Sequence, residues 1–286
     1  GAKLVAVASN PVDAVWADQP PRPTARITTQ PTQFAGRSAA DKLQDMAKAL
    51  EANDAVVLTQ PDSVAWVLNL RGFDVPYTPV VSAYAILHRK GKAELFIDTA
   101  RLPEDVRDHL KRIATVRKPS DIAASLKSLG RKKAAVLIDP AWTPEAIRAA
   151  LAKSGAKIAT GADPCVLPKA RKNPVEQEGA RAAQRRDGAA VSRFLRWLED
   201  EAPKGGLTEL AVAGKLEAFR KETGQLMDLS FDTIAAAGPN AAIPHYHVSP
   251  ESSRPLKLNE IFLVDSGAQY QDGTTDITRT IAVGDP

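Results

Sequence analysis

Apolar residues along this chain recur first at helical and then at strand spacing, and the switches between the two mark the predicted elements. Behind Ser38-x-x-Asp41, the residues Leu43, Met46, Ala47 and Leu50 return every three or four positions, which predicts an N-capped amphipathic helix. Ala55–Thr59 is a continuous apolar run and reads as a buried strand. Pro61-Asp62-Ser63 opens a short helix through Trp66 and Leu70 that should stop at Arg71-Gly72. Ala83–His88 and Ala93–Asp98, joined by Arg89-Lys90-Gly91-Lys92, read as a hairpin. Two helical stretches, about Pro103 to Ile113 and Asp121 to Leu129, precede a second buried strand at Ala134–Asp139. Thr143-Pro144-Glu145 then sets a proline at the first position of another helix. Such alternation predicts an α/β domain with a mixed sheet over residues 38–168.

Residues 1–37 break the pattern. Pro11, Pro20, Pro21, Pro23 and Pro31 remove backbone donors and bias their neighbours to extended backbone, so this stretch reads as a connector. The apolar Lys3–Ala8 run and the missing initiator Met suggest the last strand of an upstream domain. A boundary falls at Pro168–Pro174, where two prolines bracket a charged stretch, and residues 169–286 read as a second domain of α+β character. Val175–Glu201 is a long helix stopped by Pro203-Lys204-Gly205-Gly206, and Thr208–Lys221 is the next. From Phe231 the period becomes that of strands: Phe231–Ala236, Ile261–Gln269 and Thr274–Val283.

Composition narrows the function classes. Hydrophobic residues at 44% and charged residues at 25% of 286 residues describe a folded globular chain with room for two cores. No apolar run approaches the roughly 18 residues of a membrane span, and the apolar start is too short for a signal h-region, so the expectation is a cytoplasmic protein without a membrane partner. The net charge of +4 is spread along the chain and only 5% of residues are aromatic, which argues against nucleic acid. Cys165 stands alone, so neither a disulfide nor a cysteine zinc site can form, and a buried thiol is expected. Trp16, Trp66, Trp142 and Trp197 are expected as packing anchors, His88 and His109 as solvated side chains.

The chemistry concentrates between Ile261 and Ile281. Two strand-like runs flank Asp272-Gly273, the strongest short hairpin signal. With those two residues as the turn, Gln271 pairs with Thr274 and Gln269 with Asp276, which puts Asp265 and Asp276 on one face of the hairpin; any turn of even length keeps that parity. At about 5 Å and an effective dielectric near 20, two carboxylates repel by roughly 3 kcal/mol. Arg279, three residues from Asp276, points to the other face, whereas Thr278 and Thr280 share the carboxylate face. A cation or a shared proton could relieve the pair, and hard oxygen donors suit Mn, Mg or Zn; ordinary exposed hairpin acids are the remaining reading.

The run Ala237-Gly238-Pro239-Asn240-Ala241-Ala242-Ile243-Pro244-His245-Tyr246, followed by Val264-Asp265-Ser266-Gly267-Ala268-Gln269-Tyr270 and Asp272-Gly273-Thr274-Thr275-Asp276-Ile277-Thr278-Arg279-Thr280, resembles Xaa-Pro aminopeptidases (aminopeptidase P) of the three-domain type, in the pita-bread metallopeptidase family. Asn10–Pro23, Trp66–Pro76 and Pro203–Gly206 fit the same family, so the resemblance covers essentially the whole chain. It implies a creatinase-like α/β domain followed by the first half of a pita-bread domain. It implies an enzyme, in complete form a homodimer, that releases the N-terminal residue of peptides with proline second, using two divalent ions, Mn2+ or in some members Zn2+, that activate a water. By this resemblance Asp265 and Asp276 are metal ligands, His245 contacts substrate and stabilises the tetrahedral intermediate, and Arg71 belongs to the substrate rim.

The family's ligand histidine and two glutamates lie beyond the second aspartate, and this chain ends at Pro286, ten residues on. The expectation is therefore a piece that needs the C-terminal part of the catalytic domain, from the same or a second chain, and that leaves the apolar face of Phe262, Val264 and Ile277 seeking a partner. Prolidase-type dipeptidases and methionine aminopeptidases share the aspartate spacing but fit the His245 context less well. Creatinases, without metal, are disfavoured by the two aspartates, and a non-catalytic pita-bread scaffold by the retained His245.

Overall fold

A computed structural model describes residues 5, 7 and 9–285. Apart from Val5 and Val7, the Lys3–Ala8 run lies outside them. The first domain contains α1 (Pro11–Val15), β1 (Ile27–Thr29), α2 (Thr32–Ala35), α3 (Ala39–Ala49), β2 (Ala55–Leu58), α4 (Pro61–Leu68) and β3 (Leu70–Gly72). There follow β4 (Tyr84–His88), β5 (Ala93–Phe96), α5 (Glu104–Lys111), β6 (Ala114–Arg117), α6 (Ile122–Arg131), β7 (Ala135–Ile138), α7 (Glu145–Ser154), β8 (Lys157–Thr160) and α8 (Val166–Ala170). The second domain has α9 (Pro174–Glu201), α10 (Glu209–Lys221), β9 (Asp228–Leu229), β10 (Ile234–Ala237), β11 (Glu260–Ser266), β12 (Ala268–Gln269) and β13 (Ile277–Val283).

The predicted mixed sheet is present. Six strands lie in the order β6-β5-β4-β2-β7-β8, with the β4–β5 hairpin antiparallel and β2–β7 and β7–β8 parallel. Both faces of β2 are covered, which is why Ala55–Leu58 is apolar at every position: Val56 and Leu58 pack with α3, α4 and α5, while Ala55 and Val57 pack with α6 and α7. Cys165 is buried, as expected.

Several local expectations are corrected. The helix through Trp66 ends at Leu68, because Asn69 takes a left-handed conformation (φ +50°) and its side chain is held by Lys42 and by the Arg37 carbonyl. Arg71 therefore sits on β3, which pairs with β1 inside the stretch read as a connector, and Ile27 is part of the core. Pro144 caps α7 from outside its first turn. Trp16 and Trp142 are exposed, the first just after α1, a short helix without buried residues, and the second in a surface loop. His88 and His109 are half-buried and hydrogen-bonded, to Glu94 (3.0 Å) and the Leu68 carbonyl (2.8 Å).

In the second domain α9 and α10 cover one face of the sheet β10-β11-β13. Asn173 accepts from the Val175 and Glu176 amides while Glu176 accepts from Asn173 N–H, a reciprocal cap that starts the 28-residue α9. The expectation for Phe262, Val264 and Ile277 fails. Phe262 and Val264 are fully buried against Phe194, Leu198, Val212 and Leu216, and Ile277 packs beside them. The opposite face carries Asp265, Thr278 and Thr280 beside Ile261 and Leu263, with Ile261 exposed.

One ion pair ties the helices to the strands. Asp187 of α9 accepts from Arg220 Nε (2.8 Å) and Nη2 (3.0 Å) of α10, from Tyr270 Oη (2.8 Å) and from Thr275 Oγ1 (2.8 Å). Both charged side chains are wholly buried. Burial, the largest single effect, would raise the Asp187 carboxyl, but the hydrogen bonds and charge of Arg220 together with the bonds from Thr275 and Tyr270 outweigh it and hold the pKa below the usual carboxylate range.

Two measurements follow. Asp187→Ala leaves Arg220 buried without its anion and should cost about 3–5 kcal/mol in urea unfolding; because the folded-state pKa is depressed, the stability contributed by Asp187 is present above the unfolded value near 4 and lost as pH falls through the folded value. Lys42, whose Nζ donates to the Trp66 carbonyl (3.0 Å) and Asn69 Oδ1 (2.7 Å), is lowered by burial from 10.5 to about 8. Between those values the unfolded chain binds the extra proton, so stability of the wild type relative to Lys42→Met should rise from pH 8 to pH 10. A flat difference over that range would show that Lys42 is not desolvated.

Candidate metal centre

The hairpin arm carrying the acids keeps one register throughout. Asp265 stands opposite Thr278, Leu263 opposite Thr280 and Val264 opposite Arg279, and Gln269 bridges Thr274 beyond them. The turn is Gln271-Asp272 rather than Asp272-Gly273, since Tyr270 N–H donates to the Gly273 carbonyl (2.9 Å). Docking against α9 decides this shift. Arg186 grips Asp272 through two bonds (3.0 and 2.8 Å), the Asp272 carbonyl would lie 2.4 Å from a Cβ at Gly179, and a Cβ at Gly273 would lie 2.9 Å from Ala183. The turn stays even in length, so the parity argument survives: Asp265, Asp276, Thr278 and Thr280 share the open face and Arg279 faces away.

Thr278 Oγ1 donates to Asp265 Oδ1 at 2.8 Å. Asp276 lies two residues before Thr278, a diagonal step of about 7–8 Å between Cα atoms, close enough for both carboxylates to reach one ion or an adjacent pair. Gly267 continues the register opposite Asp276. A Cβ there would come within 2.0 Å of the Thr275 carbonyl and 2.1 Å of Ser230 Oγ, so only glycine lets the strands close at this point. Asp265 is half-buried and Asp276 exposed, and among the described residues neither has a cationic side chain within 4 Å. The donors are hard oxygens and suit a divalent cation. They are too few to hold one alone, and no cluster of three or more His, Cys, Asp or Glu exists among the described residues.

His245 occupies a turn in the loop after β10. Tyr246 N–H donates to the Ile243 carbonyl (3.2 Å), Pro244 and His245 are the central residues, and His245 has φ +54°. A positive φ at the third position is the type II pattern, where glycine or asparagine is the ordinary choice. Histidine there is strained and held by its surroundings. Its imidazole is exposed and makes no hydrogen bond to either aspartate among the described residues. His247 lies apart, with Nδ1 3.6 Å from Asp232, which also accepts from the Tyr77 hydroxyl; that bond pushes Tyr77 up to about 12.

Arg71 is not brought to the aspartates. It lines a cleft of about 340 Å³ between the two domains, together with Gln30, Trp66, Gln269 and Thr274. Burial pulls its guanidinium pKa down, and Glu176 opposes that. The acids Asp187 and Glu209, which organise the loops of this domain, went unread in the sequence because their partners lie far along the chain. Thr208-Glu209 shows only as a helix start.

Residues 18–176 match the creatinase/prolidase N-terminal domain family, and residues 178–286 match metallopeptidase family M24. Similar curated proteins include the probable Xaa-Pro aminopeptidase P of Leptosphaeria maculans, 40% identical over 299 residues, and that of Paracoccidioides brasiliensis, 39% identical over 301; each alignment covers 100% of this chain and 49% of the relative. The chain thus spans about half the length of the curated relatives it matches. Among solved structures, an X-prolyl aminopeptidase from Caenorhabditis elegans, described as a cytosolic enzyme with a di-nuclear active site, is 32% identical with a TM-score of 0.92, covering 99% of this chain and 47% of that one. An Xaa-Pro dipeptidase from Bacillus anthracis, 20% identical with a TM-score of 0.64 over 87% of this chain and 65% of its own, shares the fold.

The strain at His245 predicts a reversal of the usual glycine penalty. His245→Gly should be more stable than His245→Ala by about 1 kcal/mol, because only glycine accepts the left-handed backbone freely. Equal thermal midpoints for the two variants would show that the turn relaxes.

Proposed function

Because the chain belongs to the creatinase/prolidase family, with the first half of a metallopeptidase M24 pita-bread domain behind its N-terminal domain, we propose that the protein it represents hydrolyses the first peptide bond of substrates with proline in second position. The observation that carries this reading is the pair Asp265 and Asp276 on one open sheet face, where among the described residues neither has a cationic side chain within 4 Å. In it, Asp265 and Asp276 hold two divalent ions, most simply Mn2+ with Zn2+ as the alternative. Such ions, when bound, polarise the scissile carbonyl and acidify a water.

The chain's own residues have separate tasks. Thr278 restrains the Asp265 carboxylate by its hydroxyl. His245, exposed on its turn, donates to the oxygen that gains charge during attack. Arg71, in the cleft beyond Thr274, contributes to the substrate rim as a fixed cation. The remaining ligands come from sequence that the relatives carry outside the matched stretch, supplied by the same polypeptide or a second one, and the complete protein works as a homodimer in the cytoplasm. No helix among the described residues is long and apolar enough to cross a membrane.

Ligand counting gives the test. Two carboxylates offer fewer donors than the four to six per ion that a stable oxygen-rich site needs, so calorimetric titration of the 286-residue chain with Mn2+ should show binding weaker than micromolar and no Xaa-Pro hydrolysis. With the remaining sequence present, two ions should bind tightly and an Xaa-Pro peptide should lose its first residue, with His245→Ala lowering kcat about 100 to 1,000-fold. Sub-micromolar binding of two ions by this chain alone would overturn the ligand assignment, and near-normal turnover in His245→Ala would remove that residue from the chemistry.

A further inference from the structure

Glu209 is the first residue of α10, a place where acids ordinarily face water and the helix dipole. Here its side chain is wholly buried, and among the described residues it has no cationic partner within 4 Å. Neutral donors surround it instead. Glu209 Oε1 accepts from Ala237 N–H (2.7 Å) and Asn240 Nδ2 (3.0 Å), and Oε2 accepts from Arg254 N–H (2.9 Å), Tyr246 Oη (3.0 Å) and Asn240 Nδ2 (3.2 Å). Burying a carboxylate is costly unless every lone pair is used, and this one is placed where a single loop can use them all.

The four donors bracket the loop that carries His245. Ala237 ends β10, Asn240 lies in the short 3-10 turn after it, Tyr246 follows His245 directly, and Arg254 begins the return toward β11. The helix start is fastened to that return by Glu209 N–H to the Arg254 carbonyl (3.0 Å) and Leu256 N–H to the Leu207 carbonyl (2.9 Å). Among the described residues His245 has no such anchor of its own, yet it keeps φ +54°. A strained residue persists only when its surroundings over-determine it. Around this turn the Ala237 and Arg254 amides, Asn240 and Tyr246 all converge on one carboxylate, with the Tyr246 hydroxyl also within hydrogen-bond distance of Ser252.

We propose that Glu209 is the positioning residue of the His245 turn: it sets the direction of the imidazole by holding Asn240 and Tyr246 on either side of it. The inference rests on the reading of His245 as the group that meets substrate. A glutamine at 209 would have nearly the same shape but would turn an NH2 donor toward N–H and O–H donors, so the loop would lose its fixed point without losing volume.

The chain has four histidines, which makes the imidazole Cε1–H signals a direct readout. In 1H–13C spectra of the 286-residue chain, with the His245 signal identified by its loss in His245→Ala, Glu209→Gln should shift or broaden that signal and leave those of His88 and His109, in the first domain, in place. If Glu209→Gln does not fold, Tyr246→Phe removes one donor, keeps the ring, and is read the same way. An unmoved His245 signal in the folded variant overturns the proposal.

A kinetic arm separates this inference from the functional reading beneath it. In the enzyme with its full complement of ligands, Glu209→Gln should lower kcat about ten-fold, the usual scale for losing an outer-shell support, with little change in KM, and should add nothing further in a His245→Ala background. If His245→Ala lowers kcat and Glu209→Gln does not, the positioning role fails; if His245→Ala itself leaves kcat unchanged, the functional reading fails instead.

Discussion

The second domain depends on where a single carboxylate is buried. Asp187 receives both contacting nitrogens of Arg220 and the hydroxyls of Tyr270 and Thr275, so two helices and both arms of the acid-bearing hairpin converge on it. An apolar core could hold α9 against α10 at least as cheaply, since taking two charges out of water offsets most of their attraction. What apolar packing does not supply is direction. Tyr270 and Thr275 are fixed by bonds with defined angles, and Asp276, the next residue after Thr275, inherits their placement.

A similar economy governs the join between the domains. Gln30 Nε2 donates to the Gln271 carbonyl (2.9 Å), Gln269 Nε2 donates to the Tyr77 carbonyl (2.8 Å), and Asn173 Nδ2 donates to the Ala35 carbonyl (2.9 Å). Two of these three land on the hairpin whose other end holds Asp265 and Asp276. The N-terminal domain therefore reaches the hairpin through the Gln271 carbonyl and the Gln269 side chain, and at these two points it does so with neutral amides, whose strength is little altered by salt.

Sequence reasoning succeeded where periodicity and parity suffice. The face shared by Asp265 and Asp276 was legible because an even turn of any register keeps it, and the turn did move by one residue without harm. α3 and α10 were legible from their starts at Ser38 and Thr208, and α9 from its stop at Pro203–Gly206, whereas its Asn173 cap was not read. β3 and β6 were not: Leu70-Arg71-Gly72 and Ala114-Thr115-Val116-Arg117 lack the continuous apolar runs of the similarly short β2 and β7, and Arg71 is drawn onto a strand by Ile27–Thr29, more than forty residues earlier. Which face of β11 lay against helices was also hidden, because alternation says that two faces differ and not which neighbour arrives first. Glu209 and Asp187 were unreadable for the same reason at longer range, since each is satisfied by donors 28 to 88 residues away.

Those separations bear on the order in which the molecule assembles. The bonds from Tyr270 and Thr275 to Asp187 close loops of 83 and 88 residues, and the bond from Gln30 to Gln271 spans 241. Contacts so distant in sequence return nothing until the intervening chain has paid its entropy of closure. Helices α9 and α10 must meet before Asp187 has its cation, and the N-terminal domain must stand before Gln30 can reach the turn. The hairpin itself is local, Asp265 and Thr278 being 13 residues apart, but its anchoring to α9 and to the first domain rests on the contacts whose closure costs the most chain entropy.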